Sequence, residues 1–171
     1  QSNGTGGGDW NAPATWLGGL DPTSKHTAVI QGSDSVRVAT AASCSSVVVT
    51  SGGKLSAAAA LTVGGTFTLE AGAFYYYGAT VSLVLPGSSQ SLHPSSTVVF
   101  NTANTGAGTI PGTTYGNLVI QRDGNTTPDG PLTVQGNLTV RNTSGTKVLR
   151  GTGGATSMTN TVHGNVAIYG G

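Results

Sequence analysis

The feature that most constrains this chain is a short unit that recurs: Gly116-Asn117-Leu118-Val119-Ile120 and, one repeat later, Gly136-Asn137-Leu138-Thr139-Val140. Each copy reads as a turn feeding a short strand. Gly-Asn supplies tight-turn or positive-φ positions, and branched apolar residues suit a pleated surface. Similar runs are Thr27-Ala28-Val29-Ile30, Ser46-Val47-Val48-Val49, Thr66-Phe67-Thr68-Leu69, Thr97-Val98-Val99-Phe100 and Asn165-Val166-Ala167-Ile168. The runs begin at 27, 46, 66, 97, 117, 137 and 165, so the gaps are 19, 20, 31, 20, 20 and 28. Short strands with a period of about 20 residues, separated by Gly, Ser, Asn or Pro turns, are the pattern of a solenoid. The expected fold is therefore all-β: a single-domain parallel β-helix with coils of about 20 residues. Closely spaced short strands with turns between them would also suit an antiparallel β-sandwich, which stands as the alternative. Repetition of the Gly-Asn-Leu unit favours the solenoid.

Alternation within each run sends one set of side chains into the lumen and the other outside. The two long gaps hold candidates for extra strands or turn insertions, Thr80–Leu85 in one and Thr146–Leu149 in the other. No stretch argues for a helix. Ser56-Ala57-Ala58-Ala59-Ala60-Leu61 has helix propensity, but Gly52-Gly53 and Gly64-Gly65 confine it, so a turn or coil edge is expected there. In Phe74-Tyr75-Tyr76-Tyr77 the rings should alternate faces, leaving one or two exposed or packed on a neighbour.

Composition narrows the function classes. Charged residues are only 8% and the net charge is +1, which makes no electrostatic case for nucleic acid or an anionic membrane as partner. No apolar run is long enough to span a bilayer as a helix. The lone Cys44 excludes an intramolecular disulfide framework and reads as a small buried residue. The opening Gln1-Ser2-Asn3 has no initiator Met, which fits either a mature secreted chain or a piece of a longer one.

Residues 1–26 are read as an N-terminal tail and a Trp-containing cap, and 27–171 as the solenoid body. The glycine-rich tail would be ordered only if something tied it down, and a neighbouring subunit is one candidate. Trp10 and Trp16 fit a plug over the open end of the core. The other reading is a sugar-stacking platform.

The segment Trp10-Asn11-Ala12-Pro13-Ala14-Thr15-Trp16-Leu17-Gly18-Gly19-Leu20-Asp21-Pro22 resembles the head of secreted bacterial surface proteins with β-helical repeats, common in Bacteroidota. Val36-Arg37-Val38 with Ser43-Cys44-Ser45-Ser46-Val47-Val48-Val49 resembles that head too, and Ser95-Ser96-Thr97-Val98-Val99-Phe100-Asn101 followed by Thr109-Ile110-Pro111-Gly112-Thr113-Thr114-Tyr115-Gly116-Asn117-Leu118 is similar to a repeat of the same proteins. Asp34-Ser35-Val36 resembles their O-glycosylation site. The resemblance runs from about Asp9 to Ile168 and implies a secreted, adhesin-like or cell-surface protein. Members of that family are mostly far larger than this chain.

The catalytic inventory is thin. A lyase or glycoside hydrolase on a β-helix needs clustered carboxylates, and the chain offers Asp9, Asp21, Asp34, Glu70, Asp123 and Asp129. Only Asp123 and Asp129 are close in sequence, flanking what reads as an ordinary turn. His26, His93 and His163 lack metal-ligand spacing. Arg122 and Arg141, close to one repeat apart, would stack on adjacent coils and form a basic ridge with Lys147 and Arg150. No catalytic residue, metal or cofactor is expected.

Three functions follow, in order of support. The first is an extracellular structural protein that joins copies of itself end to end into a filament or surface layer, using Gln1, Ser2, Asn3, Val166, Ile168 and Tyr169. The second is an adhesin or carbohydrate-binding module that meets surface glycans through Trp10, Trp16, Tyr75, Tyr76 or Tyr77. The third, a polysaccharide-degrading enzyme, has least support because acids are sparse.

Overall fold

The computed structural model describes residues 1–80, 82–102, 106–141 and 159–169. Its strands wind as a parallel β-solenoid with turns about 20 residues apart, and a 3-10 turn at Pro13–Thr15 is the one helical element among the described residues. Every pairing between strands is parallel, so the antiparallel sandwich is excluded. The one antiparallel contact is an isolated bridge between Ser2 and Trp16.

The longest face is an eight-stranded sheet made, in spatial order, of β1 (Gly7–Asp9), β3 (Ser35–Val38), β6 (Lys54–Ala57), β9 (Phe74–Tyr77), β11 (Thr97–Thr102), β14 (Asn117–Arg122), β17 (Leu138–Arg141) and β19 (Val166–Tyr169). In the early coils the face that precedes it along the chain holds β2 (Thr27–Ile30), β5 (Ser46–Val49), β8 (Thr66–Leu69) and β10 (Ser89–Leu92). In the later coils that place is taken by the shorter β13 (Thr114–Tyr115), β16 (Thr133–Val134) and β18 (Thr161–Val162). The face that follows holds β4 (Ala42–Cys44) with β7 (Leu61–Val63), and later β12 (Gly108–Ile110) with β15 (Thr126–Pro128).

Two columns of side chains on the long sheet build the lumen. Val36, Leu55, Tyr75, Val98, Leu118, Leu138 and Val166 stand in register in the first. Val38, Ala57, Tyr77, Phe100, Ile120, Val140 and Ile168 make the second. Ala28, Val47 and Phe67, with Ile30, Val49 and Leu69, line it from the preceding face. Phe67 and Tyr75 meet edge to face across it at 5.0 Å. Burying each branched or aromatic side chain contributes on the order of 1.5–3 kcal/mol, so the stack is held together chiefly by this apolar column. Burial pushes the Tyr75 and Tyr115 phenols up, and both are pinned by backbone acceptors, Tyr75 on Val84 O and Tyr115 on Pro111 O. Cys44 is buried as expected, and its thiol is pushed up to about 11 by that burial.

The repeat spacing is real, but its runs do not form one column. Those beginning at 27, 46 and 66 are β2, β5 and β8 on one face, whereas those at 97, 117 and 137 lead the long face. The long interval from Thr66 to Thr97 thus crosses a corner. The coil that is long here runs from Phe74 to its register partner Thr97, and its extra residues fall between β9 and β10. The described part of Thr80–Leu85 is irregular rather than a strand, and Thr146–Leu149 lies outside the described residues. Lys54–Ala57 is a strand, so the alanine run supplies part of β6 before it bends at Ala58-Ala59.

The Gly-Asn unit has a different basis from the one expected. Neither Gly116, Gly136, Asn117 nor Asn137 has a positive φ. Glycine is required instead by close stacking, since a Cβ at Gly136 would overlap Asn117 Oδ1, and one at Gly116 would overlap the His93 and Ser96 carbonyls. That space lets asparagines form a ladder: Asn117 Nδ2 donates to Ser96 O at 3.2 Å, Asn137 N–H to Asn117 Oδ1 at 2.9 Å, and Asn165 N–H to Asn137 Oδ1 at 3.0 Å.

Candidate functional site

The two ends of the lumen are the places where the sequence predicts assembly contacts, and they are built differently. At the N-terminal end Trp10 follows β1, donates its backbone N–H to Arg37 O at 2.7 Å and is 1% exposed. Trp16, after the 3-10 turn, is 3% exposed and meets Trp10 edge to face at 5.1 Å. Its Nε1 donates to Trp10 O at 2.7 Å. The pair plugs the lumen and offers no ring face to solvent, which corrects the platform reading for Trp10 and Trp16.

The tail is ordered by its own chain. Ser2 is 0% exposed, and its N–H donates to Val29 O at 2.8 Å. Gln31 N–H donates to Ser2 Oγ at 2.9 Å, and Gln31 Nε2 to Ser2 O at 2.6 Å. Ser2 is therefore spent within the first coil and is withdrawn as an assembly contact. Gln1 is exposed and Asn3 half-buried, with Asn3 Nδ2 donating to Ala14 O at 2.5 Å.

At the other end, β19 continues both lumen columns with nothing packed over them among the described residues. Val166 and Ile168 stand opposite Leu138 and Val140, yet they are 55% and 74% exposed. Tyr169 is 56% exposed on the opposite face of the sheet, in register with Arg141, whose guanidinium lies 5.6 Å from its ring centroid. Among the described residues no strand lies on the outer side of β19.

The aromatic strand β9 splits as alternation requires. Tyr75 and Tyr77 are buried in the lumen, which removes both from the glycan-binding candidates. Phe74 and Tyr76 face outward half-buried, nearly parallel at 15° with centroids 6.1 Å apart. Phe74 belongs to this pair and was missed as a site residue; the even-odd pattern of β9 would have found it once Tyr75 was placed inside. Beside the strand lies a cleft of about 350 Å³ lined by residues that include Leu61, Tyr75, Tyr77, Val84 and Pro86.

The basic ridge does not form as expected. Arg141 pairs with Gln121, not Arg122, and the one-residue offset puts the two arginines on opposite faces. Arg122 is 3% exposed, with its guanidinium 5.3 Å from the Phe100 ring centroid and an N–H bonded to Gly106 O, and burial pulls its pKa down. Lys147 and Arg150 lie outside the described residues. Asp129 accepts Gly112 N–H at 2.7 Å in a turn. Among the described residues, no group of three or more His, Cys, Asp or Glu side chains converges as a metal site would require.

Fold and site together define a parallel β-solenoid whose N-terminal end is plugged by the tryptophan pair and whose last described strand, β19, leaves its lumen side chains exposed among the described residues. Compared with known protein families, curated proteins and solved structures, the chain matches none.

Proposed function

We propose that this chain is an extracellular structural protein that joins other copies through its β19 end, building a filament or surface layer. The observation that carries the proposal is that Val166 and Ile168 occupy lumen positions and are 55% and 74% exposed. An open parallel strand edge backed by apolar lumen side chains is a template for pairing with another chain. The 8% charge content supports it too, because little electrostatic repulsion keeps copies apart.

Electron microscopy and light scattering at neutral pH test the proposal. Regular filaments or sheets are expected from the unmodified chain. Ile168→Lys is expected to abolish them while leaving circular dichroism and Tm unchanged. Dispersed monomers of the unmodified chain over a wide concentration range would overturn it. A second reading, a glycan-binding module, rests on the nearly parallel outward pair Phe74 and Tyr76.

A further inference from the structure

The glycine-rich arm at residues 1–9 is gripped by one corner of the first coil, and the grip converges on a single carboxylate. Asp34 sits between β2 and β3 and is 1% exposed. Its Oδ1 accepts the Gly6 N–H at 2.8 Å, and its Oδ2 accepts the Gly4 N–H at 2.9 Å. Ser35 N–H donates back to Gly6 O at 3.0 Å, and Gln31 holds Ser2. Residues 2, 4 and 6 of the arm are thus each fixed by the 31–35 corner.

A buried carboxylate is costly unless its oxygens are satisfied. Burial by itself pushes the Asp34 carboxyl up, but hydrogen bonds from the Ser2 side chain, the Gly4 and Gly6 backbone and the Ser33 side chain outweigh it and hold the group below its ordinary value. Among the described residues no side-chain cation bonds it; Asp9 on β1, Arg37 on β3 and Lys54 on β6 are exposed on the adjoining strands, as is Gln1 with the chain's first amine.

The arm is shaped for this seat. Gly4, Gly6 and Gly7 have φ of +77°, +108° and +89°, a region that strains other residues. A Cβ on Gly7 would overlap the Ser35 carbonyl. Apart from the Asp34 bonds, the three residues of β1 pair with the edge of β3, Asn3 N–H donates to Thr15 O at 3.0 Å, and Leu17 N–H donates to Gln1 O at 2.9 Å.

We propose that residues 1–9 are a carboxylate-locked strap: ionised Asp34 holds the arm across the β3 edge, and protonation of Asp34 releases it and opens that edge to a strand of a second copy. The last clause rests on the self-assembly reading; the strap itself does not. Because the folded-state pKa is lowered, the lock is fully present above the ordinary value of about 3.8 and is lost as pH falls through the lower folded value.

Hydrogen exchange at neutral pH tests the strap with Asp34→Asn, which keeps the side chain's size but replaces one acceptor by a donor. Amides of residues 2–9 are expected to exchange at least about tenfold faster than in the unmodified chain, with β5 and β8 unchanged and Asp9→Asn without effect. Unchanged exchange at 2–9 in Asp34→Asn would overturn the strap. If that variant loses protection everywhere, Trp fluorescence of the unmodified chain decides during acid titration. A local change at Trp16 below the usual Asp range, with far-ultraviolet circular dichroism retained, supports the strap; one concerted loss of both signals overturns it. Light scattering of Asp34→Asn separates the two readings. Increased association supports strand addition, whereas release of the arm without it overturns the second-copy clause and leaves the β19 proposal to the Ile168→Lys result.

Discussion

The two ends of this solenoid use the same columns of side chains and treat them in opposite ways. At the N-terminal end the column of Val38 and Ala57 is continued by Trp10, buried to 1%, with Trp16 packed against it. At the far end the same column reaches Ile168, which is 74% exposed. Position in the repeat does not by itself bury a residue. A lumen side chain is covered only when a coil or plug lies on each side of it, because each coil supplies half of the next one's contacts. The plugged end accordingly should contribute more to stability than β19, whose lumen side chains are exposed among the described residues.

Three positions probe that difference, from the largest expected effect to the smallest. Trp10→Ala empties the plug and is expected to cost about 3–5 kcal/mol by urea unfolding, the usual range for removing a large buried aromatic. Trp10→Phe sharpens the point: the Trp10 indole N–H has no acceptor among the described residues, so keeping a ring while removing that donor should cost far less. A loss below about 1 kcal/mol for Trp10→Ala would show that the plug is decorative. Midway along the ladder, Asn137→Ala leaves Asn165 N–H without its acceptor and should cost about 1 kcal/mol. Its effect should fall on amide protection of β19 before that of β14. At the open end, Ile168→Ala is expected to change the stability of the isolated chain by no more than about 0.5 kcal/mol, since the side chain is mostly in water already. A cost comparable to that of Trp10→Ala would mean that the β19 end is closed in solution.

Much of the fold was legible because it rests on local periodicity. Runs such as Ser46–Val49 and Asn117–Ile120 alternate inward apolar residues with outward ones, and their regular recurrence along the chain exposes the coil. Which face a run belongs to was not legible. Inside and outside follow from a period of two, but one of three faces is chosen by corner geometry, which is why the interval from Thr66 to Thr97 reads as one long gap when it crosses a corner. The candidate site was legible in part. Val166, Ile168 and Tyr169 are exposed on the last described strand, while Ser2 is buried. Nothing near Ser2 in sequence reveals its partners, Val29 and Gln31, which arrive from a neighbouring coil.

Asp34 shows the same limit from the other side. In sequence it is one of several acids beside small residues, and Asp34-Ser35-Val36 reads as a modification motif. In the structure its carboxylate is buried and committed to the arm, while Ser35 alone remains exposed. By itself the sequence determined the strand type, the coil length and the inward set of each strand, because those depend on neighbours within a few residues. Only the tertiary structure decided that Trp10 and Trp16 close the lumen, that Gly136 makes room for Asn117, and which residues, Ile168 among them, the neighbouring coil leaves exposed. Each of these depends on what the adjacent coil places about 4.8 Å away.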